Sequence, residues 1–160
     1  MDWASMSAAE LGREIEAGRI DPRELTALFI NMARLEDSGH RIFVRLLNGR
    51  ATWEAGGAAD RAKRGLRRHP LDGVPISWKD LFDVAGEVTA AGSPALADRV
   101  PKRDAAVLAR ATEAGLVALG KTTMTELAFS GLGINPSYGT PANAFDTEVE
   151  RGPGGSSAGA

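Results

Sequence analysis

The feature that most constrains the fold is a short, wholly apolar run, Leu116–Leu119, which directly follows an amphipathic segment. That segment begins near Asp104, carries apolar residues at helical spacing and ends at Gly115. Four consecutive apolar residues without alternation predict a strand buried on both faces. A helix that leads into such a strand is typical of layered α/β proteins, so we expect a mixed sheet covered by helices.

Capping signals and apolar periodicity indicate further helices and strands. Ser7 followed three residues later by Glu10 is a capping-box pattern, and Asp21-Pro22 places proline at the first turn of a second helix. The apolar stripe from Leu25 to Leu35 continues that helix. The remaining predictions are strands at 42–47 and 74–78, a helix at 51–64, a helical turn at 125–129 and a loop at 131–151.

Composition excludes several classes of function. A net charge of -2 gives no indication of nucleic-acid binding, which would require a strongly basic face. Cysteine is absent, which excludes disulfides and thiolate chemistry, and His40 and His69 have no partner at metal-ligand spacing, so we expect no metal site. No apolar run is long enough to span a membrane, and the N-terminus lacks the pattern of a signal peptide. These observations favour a cytoplasmic protein of one domain.

Two short motifs suggest chemistries that their contexts do not support. Gly115–Thr122 fits the P-loop expression, but a P-loop has a strand before its first glycine and an open loop after it. Here a predicted helix precedes Gly115, and the intervening residues are themselves the predicted strand. Gly155–Gly159 fits the nucleophile elbow of α/β-hydrolases, yet the Gly- and Pro-containing residues before it cannot form a buried strand, and no histidine follows.

A third pattern pairs Lys79, at the end of a predicted apolar strand, with the Gly-Gly-Ser-Ser run at 154–157. Taken separately, such a lysine is usually a solvated charge and such a run is usually a turn. Taken together, they suggest serine hydrolysis with lysine as the base. A lysine serves as a base only when its surroundings favour the neutral amine, which burial can achieve. Glycines beside the serine permit the tight backbone that a proton relay needs.

Four segments, in the same order along the chain, resemble the motifs of the amidase signature family. Pro70–Asp80 resembles the family's lysine motif, and Ala91–Ser93 resembles the loop that follows it. Ala114–Glu126 is similar to a strand-and-turn element, and Pro153–Ser157 looks like the opening of the Gly/Ser-rich signature. The resemblance implies the N-terminal part of the amidase signature fold, an α/β fold with a mixed sheet covered by helices.

The resemblance also implies roles for individual residues. Lys79 would be the general base, and Ser156 would be the bridging serine, held in the family with a cis peptide bond. Gly155 and Ser157 would support that loop, the serine by hydrogen bonding. A cis bond outside proline costs about 3–4 kcal/mol, so the surrounding fold must impose it.

Other positions are implied less directly, and some depart from the family pattern. Phe129 and Ser130 would lie near the pocket for the acyl group. Thr123 stands where many members have Asn, and Ala158 stands where many have Gly. The nucleophilic serine and the oxyanion-hole glycines of the family would lie beyond Ala160. We therefore expect residues 1–160 to be the N-terminal portion of a single amidase domain, inactive and poorly folded by itself.

The implied function is an amidohydrolase that cleaves a carboxamide C–N bond by a Ser-cisSer-Lys mechanism, with a small amide as substrate and without a cofactor. One alternative is the glutaminase (amidase) subunit of a tRNA-dependent amidotransferase, which frees ammonia from glutamine and needs partner subunits. A second alternative is a non-catalytic fragment. The oligomeric state stays open, with the N-terminal helices as a candidate homodimer surface.

Overall fold

The structure, a computed structural model, describes residues 2–36, 41–143, 149 and 151–160. His40 and part of the predicted loop 131–151 lie outside this range. No helix in the described part of the chain is long and apolar enough to cross a membrane. Its regular elements are α1 (Ala8–Glu16), α2 (Pro22–Glu36), β1 (Phe43–Leu46), α3 (Asn48–Lys63), β2 (Pro75–Lys79), α4 (Ala106–Glu113) and β3 (Val117–Thr122).

The three strands form the mixed sheet that the sequence predicts, in the order β1-β3-β2. β1 runs antiparallel to β3, with Arg45 opposite Lys121. β2 and β3 run in the same direction, because the Val117 N–H donates to the carbonyl of Val74 and the Asp80 N–H donates to that of Thr122. Every residue of β3 is buried, as its apolar run predicts, although the strand continues three residues past Leu119.

The first two helices begin where their capping signals predict. The Ser7 hydroxyl accepts the Glu10 N–H, and the Glu10 carboxylate accepts the Ser7 N–H at 2.7 Å, which completes the capping box. Helix α2 starts at Pro22. The prediction that the apolar stripe of α2 packs as far as Leu35 is wrong at its end, because Leu35 is 82% exposed while Ile30 is buried. The last turn of the helix therefore extends beyond the packed part of the stripe.

Contacts divide the chain into two compact units, each assembled from separate segments. Unit 1 comprises Met1–Glu36, Leu47–Ile76 and Ala109–Leu119. Helices α2 and α3 pack together in this unit. Its core is a cluster of buried apolar side chains: Leu11, Ile15, Ile20, Leu25 and Val74.

Unit 1 also contains a buried ion pair. The Arg61 guanidinium donates two hydrogen bonds, of 2.8 and 2.6 Å, to the carboxylate of Asp72. Asp72 is 1% exposed and also accepts the backbone N–H of Arg68. Gly115 has a φ of +95° and approaches this carboxylate so closely that an added Cβ would lie 2.2 Å from Asp72 Oδ1. Glycine is therefore required at the end of α4 both by the backbone conformation and by the contact.

Unit 2 comprises Asp37–Leu46, Ser77–Leu108 and Gly120–Ala160. It holds β1, the C-terminal parts of β2 and β3, and the segments that carry the candidate site. A short 3-10 turn at Glu126–Ala128 occupies the place of the predicted helical turn.

Candidate functional site

The structure brings together the lysine and the first serine of the Gly-Gly-Ser-Ser run. Lys79 is the last residue of β2, and its Nζ donates a hydrogen bond of 2.8 Å to the Oγ of Ser156, which is 77 residues away in the sequence. Both side chains are half-buried. The burial expected around the lysine is therefore only partial among the described residues. An amine and a hydroxyl at this separation can exchange a proton directly.

Backbone contacts hold the turn that carries Ser156. The Thr125 N–H donates to the Ser156 carbonyl at 3.2 Å, and the Gly155 N–H donates to the carbonyl of Gly131 at 2.8 Å. Gly155 has a φ of +76°, a conformation that other L-residues adopt only with strain. Gly155 therefore has a structural reason to be glycine.

Ser157 is placed differently from the expectation. Its side chain is exposed and makes no hydrogen bond in the part of the chain that the structure describes. Its carbonyl accepts the N–H of Ala160 at 3.1 Å, so its link to the loop is through the backbone. The neighbouring Ala158, one of the departures from the family pattern, is buried.

The cis peptide bond implied by the resemblance is not found here, since no peptide bond among the described residues is cis. Such a bond needs surroundings that enforce it. Ser156 has two described hydrogen bonds, one with the Lys79 side chain and one from the Thr125 N–H to its carbonyl. The described peptide bonds of this turn are trans, which is the intrinsically more stable form.

A groove lies beside the serine turn, with Phe129 and Ser130 in its wall. Its volume is about 430 Å³. Thr125 lines it as well, and the same residue holds the Ser156 carbonyl, so the groove adjoins the Lys79–Ser156 pair. Phe129 is 94% exposed, and the Ser130 hydroxyl accepts the N–H of Leu132. The two predicted substrate-binding residues thus lie together at an open apolar surface.

Sequence reasoning missed a buried amide that fixes the loop beyond this groove. Asn135 is 1% exposed, and its Nδ2 donates to the carbonyls of Gly92 at 2.8 Å and Met124 at 2.7 Å. Its Oδ1 accepts the N–H groups of Ser137 and Tyr138. The Asn-Pro dipeptide signals a turn, but nothing local in the sequence shows that the amide turns inward.

A second missed feature is an ion pair between β3 and the residue that follows β2. Lys121 is fully buried, and its Nζ lies 2.8 Å from Oδ1 of Asp80, the residue after Lys79. In the sequence, Lys121 lies within the P-loop pattern and within the segment Ala114–Glu126, and neither pattern gave it a role of its own. The P-loop interpretation is excluded, because Val117–Thr122 is a buried strand rather than an open phosphate-binding loop. Elsewhere in the described chain, no group of three or more His, Asp or Glu side chains forms a cluster that could hold a metal.

Comparisons with known proteins show the family of the chain. The family profile described as Amidase matches residues 24–160. The chain is 39% identical to the A-subunit of glutamyl-tRNA(Gln) amidotransferase from Marinobacter nauticus and 36% identical to that from an Azoarcus species. Each alignment covers 96% of this chain but only 32% and 31% of the relative, so the chain spans about a third of the length of these relatives.

Solved structures of amidases are also similar to this chain. The chain is similar to the peptide amidase of Stenotrophomonas maltophilia, with a TM-score of 0.86, 32% identity and coverage of 99% of this chain and 33% of that one. It is also similar to a bacterial aryl acylamidase of the amidase signature enzymes, with a TM-score of 0.85, 28% identity and coverage of 96% and 32%. The chain therefore belongs to the amidase signature family.

Proposed function

We propose that this chain carries the general base and the proton relay of an enzyme that hydrolyses a carboxamide C–N bond. The observation that supports the proposal most directly is the hydrogen bond of 2.8 Å between Lys79 Nζ and Ser156 Oγ. The two residues come from distant parts of the sequence, and each stands in a segment similar to a motif of the family.

In the proposed mechanism, neutral Lys79 removes the proton from Ser156, and Ser156 in turn deprotonates a nucleophilic serine. That serine attacks the amide carbonyl, and backbone N–H groups stabilise the oxyanion. The proton returns through the same relay to the leaving ammonia or amine. Water then hydrolyses the acyl-enzyme, and no step requires a metal or a cofactor.

We further propose that the nucleophile lies beyond Ala160, in a longer protein of which this chain is the N-terminal portion. The proposal is supported by the coverage of about a third of each relative. The genomic reading frame tests it: codons that continue past Ala160 into a further Gly- and Ser-containing segment are expected. A stop codon there would leave the non-catalytic fragment as the interpretation of this chain.

By itself, the 160-residue chain should neither hydrolyse amides nor melt cooperatively. Removing one member of a catalytic unit typically costs several orders of magnitude in rate. Both β1 and β2 are edge strands of the described sheet, so their outer edges offer unpaired backbone groups. A measurable amidase rate from the purified chain would contradict the first expectation, and a cooperative thermal transition would contradict the second.

The groove beside the serine turn is the proposed site for the acyl group of the substrate. Phe129 supplies an exposed aromatic ring, and Ser130 lies next to it in the same wall. Phe129→Ala should raise KM for substrates with apolar acyl groups more than it lowers kcat, because the ring binds the ground state and the transition state alike.

A second candidate function is supported by the curated relatives, which are named as the A-subunit of glutamyl-tRNA(Gln) amidotransferase. Under this alternative, the same lysine and serine release ammonia from glutamine, and partner subunits receive it. Two measurements separate the candidates. Co-purification with a second protein chain and a strict preference for glutamine favour the amidotransferase, whereas hydrolysis of varied carboxamides without a partner favours the hydrolase.

The catalytic roles are tested by Lys79→Met and Ser156→Ala in the complete protein that carries this chain. Ammonia release from a panel of carboxamides, glutamine included, is the readout. Each substitution should lower kcat by several orders of magnitude. The matched controls Lys102→Met and Ser77→Ala alter an exposed lysine and an exposed serine and should leave the rate unchanged. Retention of activity by Lys79→Met would show that the proposed base is not the base.

A further inference from the structure

The proposed mechanism gives no role to the buried cation of Lys121. Lys121 is 0% exposed. Its ammonium lies 2.8 Å from Asp80 Oδ1, and it donates hydrogen bonds of 2.9 Å to the carbonyl of Val88 and 2.6 Å to the hydroxyl of Thr89. Two of the three ammonium hydrogens are thus donated to Val88 and Thr89, and the carboxylate of Asp80 compensates the charge.

Stability alone does not explain such a pair. Replacing a buried ion pair by apolar residues of similar volume is often neutral or stabilising, because both ions lose their hydration. The position of the pair is more informative. Asp80 follows Lys79 directly, and neighbouring Cα atoms are about 3.8 Å apart. A carboxylate at Asp80 without its cation would be an uncompensated negative charge near Lys79, and such a charge disfavours the neutral amine that a base requires.

Asp80 also accepts hydrogen bonds from the backbone of a neighbouring loop, at Ala90 and Ala91. Its Oδ2 accepts the N–H of Ala90 at 3.2 Å, its carbonyl accepts the N–H of Ala91 at 3.1 Å, and its N–H donates to the Thr122 carbonyl at 3.0 Å. The residue beside the proposed base is therefore fixed through its backbone and through both carboxylate oxygens.

This loop reaches the groove through strained backbone. Ala91 has a φ of +51°, and its carbonyl accepts the N–H of Leu127 at 2.8 Å. Leu127 and Ala128 have φ values of +51° and +58°, and Leu127 lines the groove. Such conformations persist only where surrounding contacts enforce them, and they occur preferentially at functional sites. Hydrogen bonds thus connect Asp80 to the wall of the proposed substrate groove.

We propose that Lys121 is a positioning residue for the amidase reaction: it neutralises and orients Asp80, so that Lys79 can exist as a neutral amine. The proposal rests on the proposed function, in which Lys79 is the base. Lys121 does not touch the substrate. It acts through Asp80, by cancelling the charge next to Lys79 and by fixing the end of β2.

The other charged groups around this pair have partners of their own. Burial lowers the pKa of Lys121, Asp80 and then Asp83 oppose that shift, and Arg45 adds to it. Asp80 is therefore the group that most favours the charged form of Lys121. Arg45 forms an ion pair with Glu87 at 3.5 Å, and Asp83 forms one with Arg99 at 2.5 Å. The Glu126 carboxylate accepts a hydrogen bond of 2.7 Å from the Ser93 hydroxyl.

The test is the pH dependence of kcat/KM in the complete protein, measured for Lys121→Met, Asp80→Asn and the double variant. Lys121→Met leaves the Asp80 carboxylate without its cation, and this negative charge favours the protonated form of Lys79. The acid limb of the pH profile, where kcat/KM rises as the base loses its proton, should therefore move to higher pH by on the order of one unit. Asp80→Asn leaves a cation without its carboxylate, so the limb should move to lower pH. The double variant removes both charges and should restore the original limb, although kcat falls.

Controls separate this inference from other effects. Asp98→Asn removes an exposed carboxylate of the same unit and should not move the limb. Circular dichroism establishes that each variant is folded. If the Lys79→Met variant is inactive but the acid limb is unchanged in all three variants, the positioning role is overturned and the proposed function stays intact. If the Lys79→Met variant is active, the proposed function itself is overturned. Loss of the fold in all three variants, the double variant included, also overturns the inference, because the pair would then serve the fold alone.

Discussion

Replacing Asn135 by aspartate changes one NH₂ group into an oxygen and leaves the side-chain volume almost unchanged. The substitution removes both hydrogen bonds from Nδ2 to the carbonyls of Gly92 and Met124. It keeps an oxygen that can accept the N–H groups of Ser137 and Tyr138. The change therefore tests the two donated hydrogen bonds separately from the packing of the side chain.

The magnitude follows from the burial of these groups. Each buried carbonyl left without its donor costs about 1–3 kcal/mol. Two such losses at a side chain that is 1% exposed amount to about 2–6 kcal/mol for local opening, and about 3 kcal/mol lies within this range. A free-energy change of that size makes opening about a hundredfold more frequent.

Hydrogen exchange measures this opening directly. In the complete protein with Asn135→Asp, amides of segments 89–93, 124–128 and 135–140 should exchange about a hundredfold faster, while those of α1 and α2 should be unchanged. KM should rise, because Ile134 and Pro136 line the substrate groove on either side of this residue. The control Asn31→Asp alters an exposed asparagine. Unchanged exchange in the three segments would refute the reasoning.

Two further predictions concern stability. Gly115→Ala should lower the melting temperature, because the φ of +95° and the Asp72 carboxylate both oppose a Cβ. The control Gly49→Ala alters an exposed glycine and should leave the melting temperature unchanged. Equal melting temperatures for the Gly115→Ala variant and the unaltered protein would contradict this prediction. Asp83, whose pKa is lowered by its hydrogen bonds with Arg99, stabilises the fold above the unfolded pKa of about 3.9. The gap in melting temperature between the protein and Asp83→Asn should therefore be present at neutral pH and close as the pH falls below that value; a gap that widens in acid would contradict the assignment.

Much of the fold could be predicted because its signals are local. The capping box at Ser7, the proline at the start of α2 and the apolar run before Thr122 each specify an element through the chemistry of a few adjacent residues. The end of the α2 stripe could not be predicted in this way. Helical spacing groups Leu35 with the buried face, but its burial depends on what packs against the last turn, and there it is exposed.

Some residues of the candidate site could likewise be predicted from local sequence, and others could not. The segments containing Lys79 and Ser156 could be identified from motif order, and the structure places the two side chains in contact. Asn135 and Lys121 could not be identified, because a polar residue in a loop or a lysine in a strand is usually solvated. Nothing near either residue in the sequence shows the carbonyl or carboxylate partners that make its burial tolerable.

By itself, the sequence determined the helices and strands, the amidase resemblance and the pair of residues on which the proposed chemistry depends. The tertiary structure alone decided that the Lys79 amine lies within hydrogen-bonding distance of Ser156, that Asp80 is paired with a buried cation, and that the groove opens beside Thr125. The reason is physical. Periodicity and capping act within a few residues, whereas burial, charge compensation and cavity shape depend on groups that the chain brings together from dozens of residues apart.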